Sequence, residues 1–518
     1  MWTRVRDAAL FLLFLAVAFY VATAEAQVSQ GGHNAGSGPL QRGHFLKPEQ
    51  YATQAALALF VDPTGSDSNA CTASGTSACL TIQGAMNKIP FLVNHPVTVD
   101  IAAGSYAGFL LMNHSFAPTD TTTGAYISIR GAAQTNVTPA SGSATGTIAS
   151  VATDAVGFHV VTVTAAGWTV NDFSGRFLSL TGGTGSGQVL PIISNTATTI
   201  TVAGTFSPAP VGASTTFAVT SPSVLLTSAA NLPAGSSSAA GNGAGMNLIN
   251  ISTPRAVSNF VNIQDIGQNG NFRFVNVINV NSYQLVRVRC NVATAVLCLS
   301  QAGLSHTQIT ASAMLGSTGA GLVFAGGAPP FGPAADATLT NVYATSSAGA
   351  TVSQPNYQVN ITVQTSELVS TSTADEVIDL RNGSASLVVS GSRLRCGAAS
   401  SNSALLLTSA QSNTLVPPGP HTASFIGTNS VETCTNGIFV NGPGQVVHVG
   451  SATTLLSNTT GVKATGGGTV AFFAVPVFTT NTTDINVDGS TFTRAAFVAL
   501  VPNSVVDANY QSAVYLIP

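Results

Sequence analysis

The stretch YQVNITVQTSELVSTSTADEVIDLRNGSASLVVSGSRLRC (residues 357–396) decides the fold class, because apolar and polar residues alternate in four short segments of it. Alternation with a period of two predicts β-strands that bury one face. Turns rich in Gly, Asn and Ser separate the segments, and no helical pattern lies between them. Similar segments, such as VNIQDI, TLTNVYA and QVVHVG, recur over residues 221–470. A sandwich or a barrel is the alternative, but a run of this length favours a solenoid of roughly 10–12 turns of ~20–25 residues.

Composition limits the classes of function. Only 7% of the residues are charged and the formal net charge is −3, whereas 45% are hydrophobic. Such a chain can bury a large core, and it lacks the basic surface that nucleic acids or anionic membranes require. We therefore expect no nucleic-acid partner. The abundance of Ser, Thr and Asn suits strands and turns rather than exposed helices.

The N-terminus has the pattern of an export signal. Arg4 and Arg6 precede an apolar run, and AEA at residues 24–26 is a small-x-small cleavage site. Residues 1–26 are therefore predicted to be a signal peptide, and 27–55, rich in Gly and Gln, a flexible leader. The alternative is a transmembrane anchor, because the apolar run is nearly long enough to cross a bilayer. No second apolar segment follows the run, so secretion is favoured, with no stable membrane span after cleavage.

Six cysteines in an exported chain predict disulfides. The short-range pairs are Cys71–Cys79 and Cys290–Cys298, which leaves Cys396–Cys434. Fifteen pairings of six cysteines are possible, so the connectivity stays open at this point. None of the spacings is that of a CxxC zinc or redox site.

Residues 56–140 are predicted to hold an N-terminal cap and the first turns of the solenoid. Four apolar residues lie on one face of a short helix, with Thr81 as its N-cap and Pro90 after its end: Ile82, Ala85, Met86 and Ile89. VTVDIAAGSY and YISIRG then alternate as strands. An amphipathic helix here would cover the open end of a solenoid, which otherwise exposes unpaired backbone.

The segments VDPTGSD, CLTIQGAMNKIP, VTVDIAAGSYAGF and YISIRG, within residues 58–131, resemble the opening of pectin-lyase-like proteins, particularly pectinesterases. The resemblance implies a right-handed parallel β-helix with a short capping helix. It does not extend to catalysis, because Gly108 stands where pectinesterases have a glutamate and their later catalytic motifs are absent.

Residues 141–220 interrupt the pattern and predict an inserted module of antiparallel β-hairpins. GGTGSGQ (182–188) lacks the Gly-Lys-Ser/Thr ending of a phosphate loop, so it is predicted to be a glycine-rich hairpin turn. Residues 160–220 are similar to small β modules of phage and bacterial surface proteins. Residues 221–470 are assigned to the solenoid and 471–518 to a C-terminal cap.

Two segments, RLRC (393–396) and RVRC (287–290), each place two arginines on the outward side of a predicted strand. The interval of 106 residues corresponds to four or five turns, so both pairs are predicted to lie on one face of the coil. Arginine binds carboxylates through paired hydrogen bonds. Arg287, Arg289, Arg393 and Arg395 are therefore candidate ligand-binding residues for acidic sugars such as uronates.

A second charged group lies in TADEVIDLR (373–381). Asp375, Glu376 and Asp379 are a candidate calcium site, because calcium prefers oxygen ligands. Pectate lyases, which the predicted fold resembles, use bound calcium and an arginine base, and this resemblance makes Asp379, Arg381 and Arg395 the candidate catalytic residues. The alternative is a set of surface ion pairs that keeps the strands soluble. The two charged groups are predicted on different faces of one turn, which favours the alternative.

Two functions from different classes follow. The first is a secreted or surface-exposed β-helix that is structural, adhesin-like and in contact with glycans, and it needs no cofactor. The alternative is a polysaccharide lyase or glycoside hydrolase that acts on acidic polysaccharide, with calcium as its cofactor. The absence of catalytic motifs favours the first.

Overall fold

The structure of the protein, a computed structural model, describes most of the chain from residue 52 onward. The described residues are 52–112, 114–116, 125–228, 247–252, 260–268, 273–278, 280, 282–291, 298–302, 306–316, 321–325, 335–347, 349–354, 358–381, 383–397, 402–408, 418–473, 476–488, 490–492, 505–506 and 513–516. The signal peptide at 1–26 and the leader up to residue 51 lie outside them.

The chain forms a parallel β-solenoid of about 11 turns, which confirms the predicted fold class. Each complete turn contributes one strand to each of three sheets, called sheets I, II and III here. Sheet I, in spatial order, consists of Leu57–Val61, Val97–Ile101, Ile127–Gly131, Phe260–Gln264, Ser282–Val286, His306–Thr310, Ala335–Thr340, Val359–Gln364, Gly383–Ser390, Pro418–Ile426, Val446–Val449, Thr469–Phe472, Ala513–Leu516 and the antiparallel Val505–Val506. Sheet II consists of Gly104–Ala107, Val224–Ser228, Ile266–Gln268, Arg289–Asn291, Ala313–Leu315, Tyr343–Ser346, Glu367–Ser370, Arg393–Cys396, Asn429–Glu432, Thr453–Leu456 and Val477–Thr479. Sheet III consists of Phe109–Met112, Asn247–Ser252, Arg273–Ile278, Leu299–Ala302, Leu322–Ala325, Val352–Gln354, Ile378–Leu380, Ser403–Thr408, Asn436–Asn441, Thr460–Thr465, Thr483–Val487 and the antiparallel Ser490–Phe492.

The core of the solenoid is built from the inward side chains of successive strands in register. In sheet I, Ile361 lies opposite Leu387, and Leu387 lies opposite Ala423, and all three are at most 1% exposed. Burial of a large aliphatic side chain stabilises the folded state by about 1.5–3 kcal/mol, so each added turn extends a continuous apolar column.

One residue with positive φ turns the chain from sheet I to sheet II in each of seven successive turns. These residues are Asp265, Arg287, Ala311, Asn341, Thr365, Gly391 and Gly427. Arg287, Ala311 and Thr365 are not residue types that favour this conformation, so the sequence does not indicate the whole column. Each left-handed corner is held in place by its neighbours: the Arg287 N–H, for example, donates to the Thr310 carbonyl of the next turn at 3.1 Å.

Polar side chains next to the corners satisfy the backbone of the preceding turn. The Ser366 N–H donates to Ser392 Oγ and the Ser392 N–H to Asn429 Oδ1, both at 3.1 Å. At the corner between sheets II and III, the Asn458 N–H donates to Asn481 Oδ1 at 2.9 Å. Buried N–H groups need such partners because an unpaired one costs as much as a lost hydrogen bond.

The N-terminal cap contains the predicted helix, at Ile82–Met86, preceded by a 3-10 turn at Gly75–Ser77. Thr81 Oγ1 accepts the N–H of Gly84 at 2.9 Å, as expected of an N-cap residue. The four predicted apolar residues are all buried against the end of the solenoid. The helix ends before Ile89, because Pro90 disfavours helical geometry at the residue that precedes it. The short strands Leu92–Val93 and Ser115–Phe116 pair beside the cap.

An antiparallel β module is inserted after the strand Ile127–Gly131 of sheet I and before Val224–Ser228 of sheet II. Its strands are Thr135–Asn136, Thr145–Thr147, Ser150–Thr153, His159–Thr162, Phe177–Gly182, Val189–Asn195, Thr199–Val202 and Thr216–Ser221. GGTGSGQ joins two antiparallel strands of the module, as a hairpin turn. Trp168 packs edge-on against Phe173 and Phe217 in a core separate from that of the solenoid.

Three disulfides join Cys71 to Cys79, Cys290 to Cys298 and Cys396 to Cys434, the pairing that short-range spacing favours. Three disulfides indicate an extracellular or otherwise oxidising environment. No helix in the described residues is long and apolar enough to span a membrane.

His421 is a buried titratable residue on the inner side of sheet I. Its side chain is fully buried, and neither ring nitrogen has a hydrogen-bond partner. Burial lowers the pKa of His421 to about 4, from an ordinary value of about 6.5 in the unfolded chain.

We expect His421 to make the protein acid-sensitive. Below pH 6.5 the unfolded chain binds a proton that the folded chain rejects, so this residue lowers stability as the pH falls towards 4, by up to about 3 kcal/mol. His421→Leu should remove this contribution, which denaturant unfolding at pH 7 and pH 4.5 would measure. His306→Leu, at an exposed position, controls for the loss of an imidazole. An equal acid sensitivity in His421→Leu and wild type would contradict the expectation.

Candidate functional site

The outward side of sheet II carries a column of residues in register, one from each of five successive turns. The column runs Arg289, Ala313, Tyr343, Glu367 and Arg393. It places Arg289 and Arg393 four turns apart on one face, as the interval between the two sequence motifs predicts. We call it the sheet II column. The inserted module lies against it.

Arg393 is the centre of an ion-pair network between the solenoid and the module. It forms ion pairs with Glu367 at 3.0 Å and Glu432 at 3.2 Å, both on neighbouring strands of sheet II, and with Asp154 of the module. Its guanidinium also lies 5.4 Å from the ring centroid of Phe158, a module residue. Burial alone would lower the pKa of Arg393, but the surrounding carboxylates raise it. The network therefore joins parts of the chain that are 239 residues apart.

Arg395 belongs to the same network. Its Nη2 donates to Glu367 Oε1 at 2.7 Å, and its side chain is 39% exposed. Glu367 is fully buried and forms ion pairs with both Arg393 and Arg395. A buried carboxylate needs such partners, because an unpaired charge in the interior costs several kcal/mol.

A loop of the module, residues 171–176, follows the sheet II column towards Arg289. Ser174 Oγ donates to the phenol oxygen of Tyr343 at 3.3 Å, and the Gly175 carbonyl accepts from Arg289 Nε at 2.8 Å. Gly175 has φ +71°, and a Cβ there would lie 2.2 Å from Leu315. Only glycine lets the loop approach the sheet this closely.

Apolar contacts complete the junction between module and solenoid. A small cluster of buried side chains joins Val156, Phe158 and Ile193 of the module to Tyr343 and Val369 of sheet II. The module is therefore fixed by apolar packing and by ion pairs.

A cleft of about 420 Å³ remains between the module and the sheet II column. It is lined by Asn171, Ser174, Ile193, Ser194, Tyr343, Glu367, Arg393, Arg395 and Glu432. Burial raises the pKa of Tyr343, so its phenol stays neutral. The two carboxylates and two guanidiniums of the cleft are already paired with one another, which leaves hydroxyl and amide groups and the exposed part of Arg395 for a ligand.

The candidate catalytic and calcium residues around Asp379 lie on sheet III, away from the arginine network. Arg381 forms ion pairs with Asp379 and Glu376, both at 2.7 Å, and Asp375 accepts from Ser372 Oγ at 2.8 Å. Burial raises the pKa of Asp379 to about 6 against the opposing effect of Arg381. Arg381 therefore neutralises two of the three candidate calcium ligands. No group of three or more metal-ligand side chains that could hold an ion is found in the described part of the chain.

The structure thus separates the sequence-based candidates into four places, one of which is the group around Asp379 on sheet III. Arg393 and Arg395 lie in the network and Arg289 at the far end of the column. Arg287 is a corner residue that pairs with Asp265 at 2.6 Å. Asp379 lies on sheet III with Arg381 just after its strand, whereas Arg395 lies on sheet II, and no hydrogen bond or ion pair within the described residues joins Arg395 to the other two candidate catalytic residues.

Sequence reasoning missed the acidic half of the network. Glu367 lies in SELVS, one turn before Arg393, and Glu432 lies one turn after Arg395. Each glutamate is one solenoid turn away from an arginine of RLRC, so the length of a turn could have indicated both residues. Asp154 carries no such signal, because its position depends on how the module docks.

Comparison of the chain with models of protein families, with curated proteins and with solved structures finds no match. The family resemblance drawn from the N-terminal segments therefore has no support from these comparisons, and the parallel solenoid stands on the structure itself.

Proposed function

We propose that this chain is an extracellular structural protein, an adhesin-like solenoid that carries the module on its flank and contacts glycans. The observation that carries the proposal is the Arg393 network. The charges from which a polysaccharide-degrading site would be built are instead used to join Asp154 of the module to Glu367 and Glu432 of the solenoid.

The state of the charged groups argues against a lyase or hydrolase. A catalytic acid or base must reach the reacting atom. Glu367 is fully buried between two arginines, and Asp379 is held by Arg381 on a different sheet. Buried ion pairs of this kind fix one arrangement of parts, which suits a rigid scaffold.

The cleft beside the network is the proposed place of glycan contact. Its volume lies within the range of small-molecule sites. Asn171 and Tyr343 offer an amide and a phenol to sugar hydroxyls, and Arg395 has part of its guanidinium open to a ligand.

The test is a combined degradation and binding assay of the secreted chain. Acidic and neutral polysaccharides are incubated with it, with and without calcium, and unsaturated-uronide absorbance, new reducing ends and binding are followed. We expect the protein to bind at least one glycan without cleaving it. In Arg395→Gln this binding should be about tenfold weaker or absent. Arg130→Gln, which removes an equal charge from an exposed pair on sheet I, should bind as wild type.

Two outcomes would contradict the proposal. Calcium-dependent cleavage that disappears in Arg381→Ala or Arg395→Ala would establish the lyase alternative. Binding of no glycan in the panel would remove the adhesin-like role.

A further inference from the structure

Arg289 is a buried arginine that has no carboxylate partner among the residues that the structure describes. Arg289 is 7% exposed, and its one hydrogen bond within the described residues runs from Nε to the carbonyl of Gly175. The next residue of the loop, Arg176, brings a second positive charge beside it. Arg176 Nη1 donates to Ser221 Oγ at 3.2 Å, and Arg176 forms no ion pair with any described carboxylate.

Arg393 provides an internal comparison. It occupies the same column four turns away and is surrounded by three carboxylates. Five of the described arginines form ion pairs, namely Arg130, Arg287, Arg381, Arg393 and Arg395. The three other described arginines, Arg176, Arg273 and Arg289, form no ion pair with a described residue, and Arg176 and Arg289 lie next to each other.

No large side chain covers Arg289 from the strand positions beside it. Its neighbours in register are Gly267 on the preceding turn and Ala313 on the next. The fully buried side-chain atoms that lack a hydrogen-bond partner include Nε of Arg273, but no guanidinium atom of Arg289 or Arg176. Each guanidinium atom of this arginine pair therefore has a hydrogen-bond partner or keeps some contact with solvent.

The charge balance is positive and unfavourable when the site is empty. Asp172, whose charge acts on Arg176, accepts the backbone N–H of Ala140 at 2.7 Å. Asp172 favours the charged form of Arg176, whereas Arg289 is repelled by Arg176, and both guanidiniums are partly removed from water. Buried charges of one sign are stabilised by a counter-ion that accepts their hydrogen bonds.

We propose that Arg176 and Arg289 form a binding site for an oxyanion at the base of the module. The planar guanidiniums suit a carboxylate, sulfate or phosphate group, which accepts two parallel hydrogen bonds. The group is either a free inorganic anion or an acidic substituent of a polysaccharide. The inference does not rest on the proposed function, because a free anion can fill the site in a protein that contacts no glycan.

The test uses the full chain and measures binding by calorimetry and by the rise of the melting temperature with ligand. Potassium phosphate and sodium sulfate are titrated against sodium chloride at matched ionic strength, and oligogalacturonate against a neutral oligosaccharide of the same length. We expect one saturable site. Arg289→Gln and Arg176→Gln should each weaken it about tenfold or more, because each removes a charge-assisted hydrogen-bond donor. Arg130→Gln should leave it unchanged.

The stability of the empty protein gives a second readout. In chloride buffer, Arg289→Gln should melt no lower than wild type, because the substitution removes a buried, repelled charge. If Arg289 served only to hold Gly175, the variant would melt lower and anion binding would be unaltered, and that result would overturn the proposal.

The choice of titrated ligands identifies the source of the anion. A response to phosphate or sulfate supports a free ion, and a response to oligogalacturonate alone supports an acidic polysaccharide. The absence of saturable binding by any of the three would overturn the proposal.

Discussion

Arg393→Leu should destabilise the docked arrangement by about 3–5 kcal/mol, the cost of leaving buried charges without their partner. The substitution leaves Glu432 and Asp154 without the guanidinium that pairs with them, and fully buried Glu367 with Arg395 alone. The contact with the ring of Phe158 is also lost. The measurement is urea unfolding of residues 27–518, followed by the fluorescence of Trp168, which lies in the module core and is the one tryptophan of that sequence.

Arg130→Leu is the matched control. Arg130 pairs with Asp100 at 2.7 Å, but both side chains are at least 35% exposed, so its loss should cost less than about 1 kcal/mol. If Arg393→Leu does not fold, Arg393→Lys serves instead, because it keeps the charge but cannot bridge three carboxylates. Equal effects at positions 393 and 130 would show that the network does not stabilise the junction.

Removal of the Cys396–Cys434 disulfide is expected to have the second largest effect. The two cysteines are 38 residues apart and join successive turns of sheet II. Closing a loop of this length lowers the entropy of the unfolded chain by an amount worth about 4 kcal/mol, against about 2.5 kcal/mol for the 8-residue separation of Cys71–Cys79. Both pairs are replaced by alanines in separate variants.

The readout must be local, because solenoids lose structure turn by turn. Hydrogen exchange should show the loss of protection at Arg393–Cys396 and Asn429–Glu432 in one variant, and at the N-terminal cap in the other. The loss of protection should be larger in Cys396→Ala/Cys434→Ala than in the variant that lacks the Cys71–Cys79 disulfide. The reverse order would contradict the loop-length argument.

Much of the fold is predictable because it depends on short-range pattern. Alternation in segments such as YQVNITVQT indicates the strands, and Thr81 marks the start of the capping helix, which ends at Met86, before Pro90. The corners are not predictable in this way. Asp265, Arg287 and Thr365 adopt positive φ although nothing in their residue type demands it, because the hydrogen bonds of the stacked turns hold them there.

The site is less predictable than the fold, because it depends on contacts between distant parts of the chain. The outward direction of Arg393 and Arg395 follows from their alternation with Leu394 and Cys396, which are buried. The identity of their ion-pair partners does not follow from the sequence pattern. Asp154 reaches Arg393 only because Gly175 and Phe158 let the module lie close to sheet II, and no local pattern specifies that docking.

A double-mutant cycle between Asp154 and Arg393 tests most directly the central claim, that the charged column of sheet II holds the module. The free energy of unfolding is measured by Trp168 fluorescence for wild type, Asp154→Asn, Arg393→Leu and the double variant. We expect a coupling energy of about 1 kcal/mol or more, since the two side chains form a direct ion pair across the junction. Strictly additive effects would contradict the claim, because they would mean that the two residues contribute independently and that the arginine is free for another role.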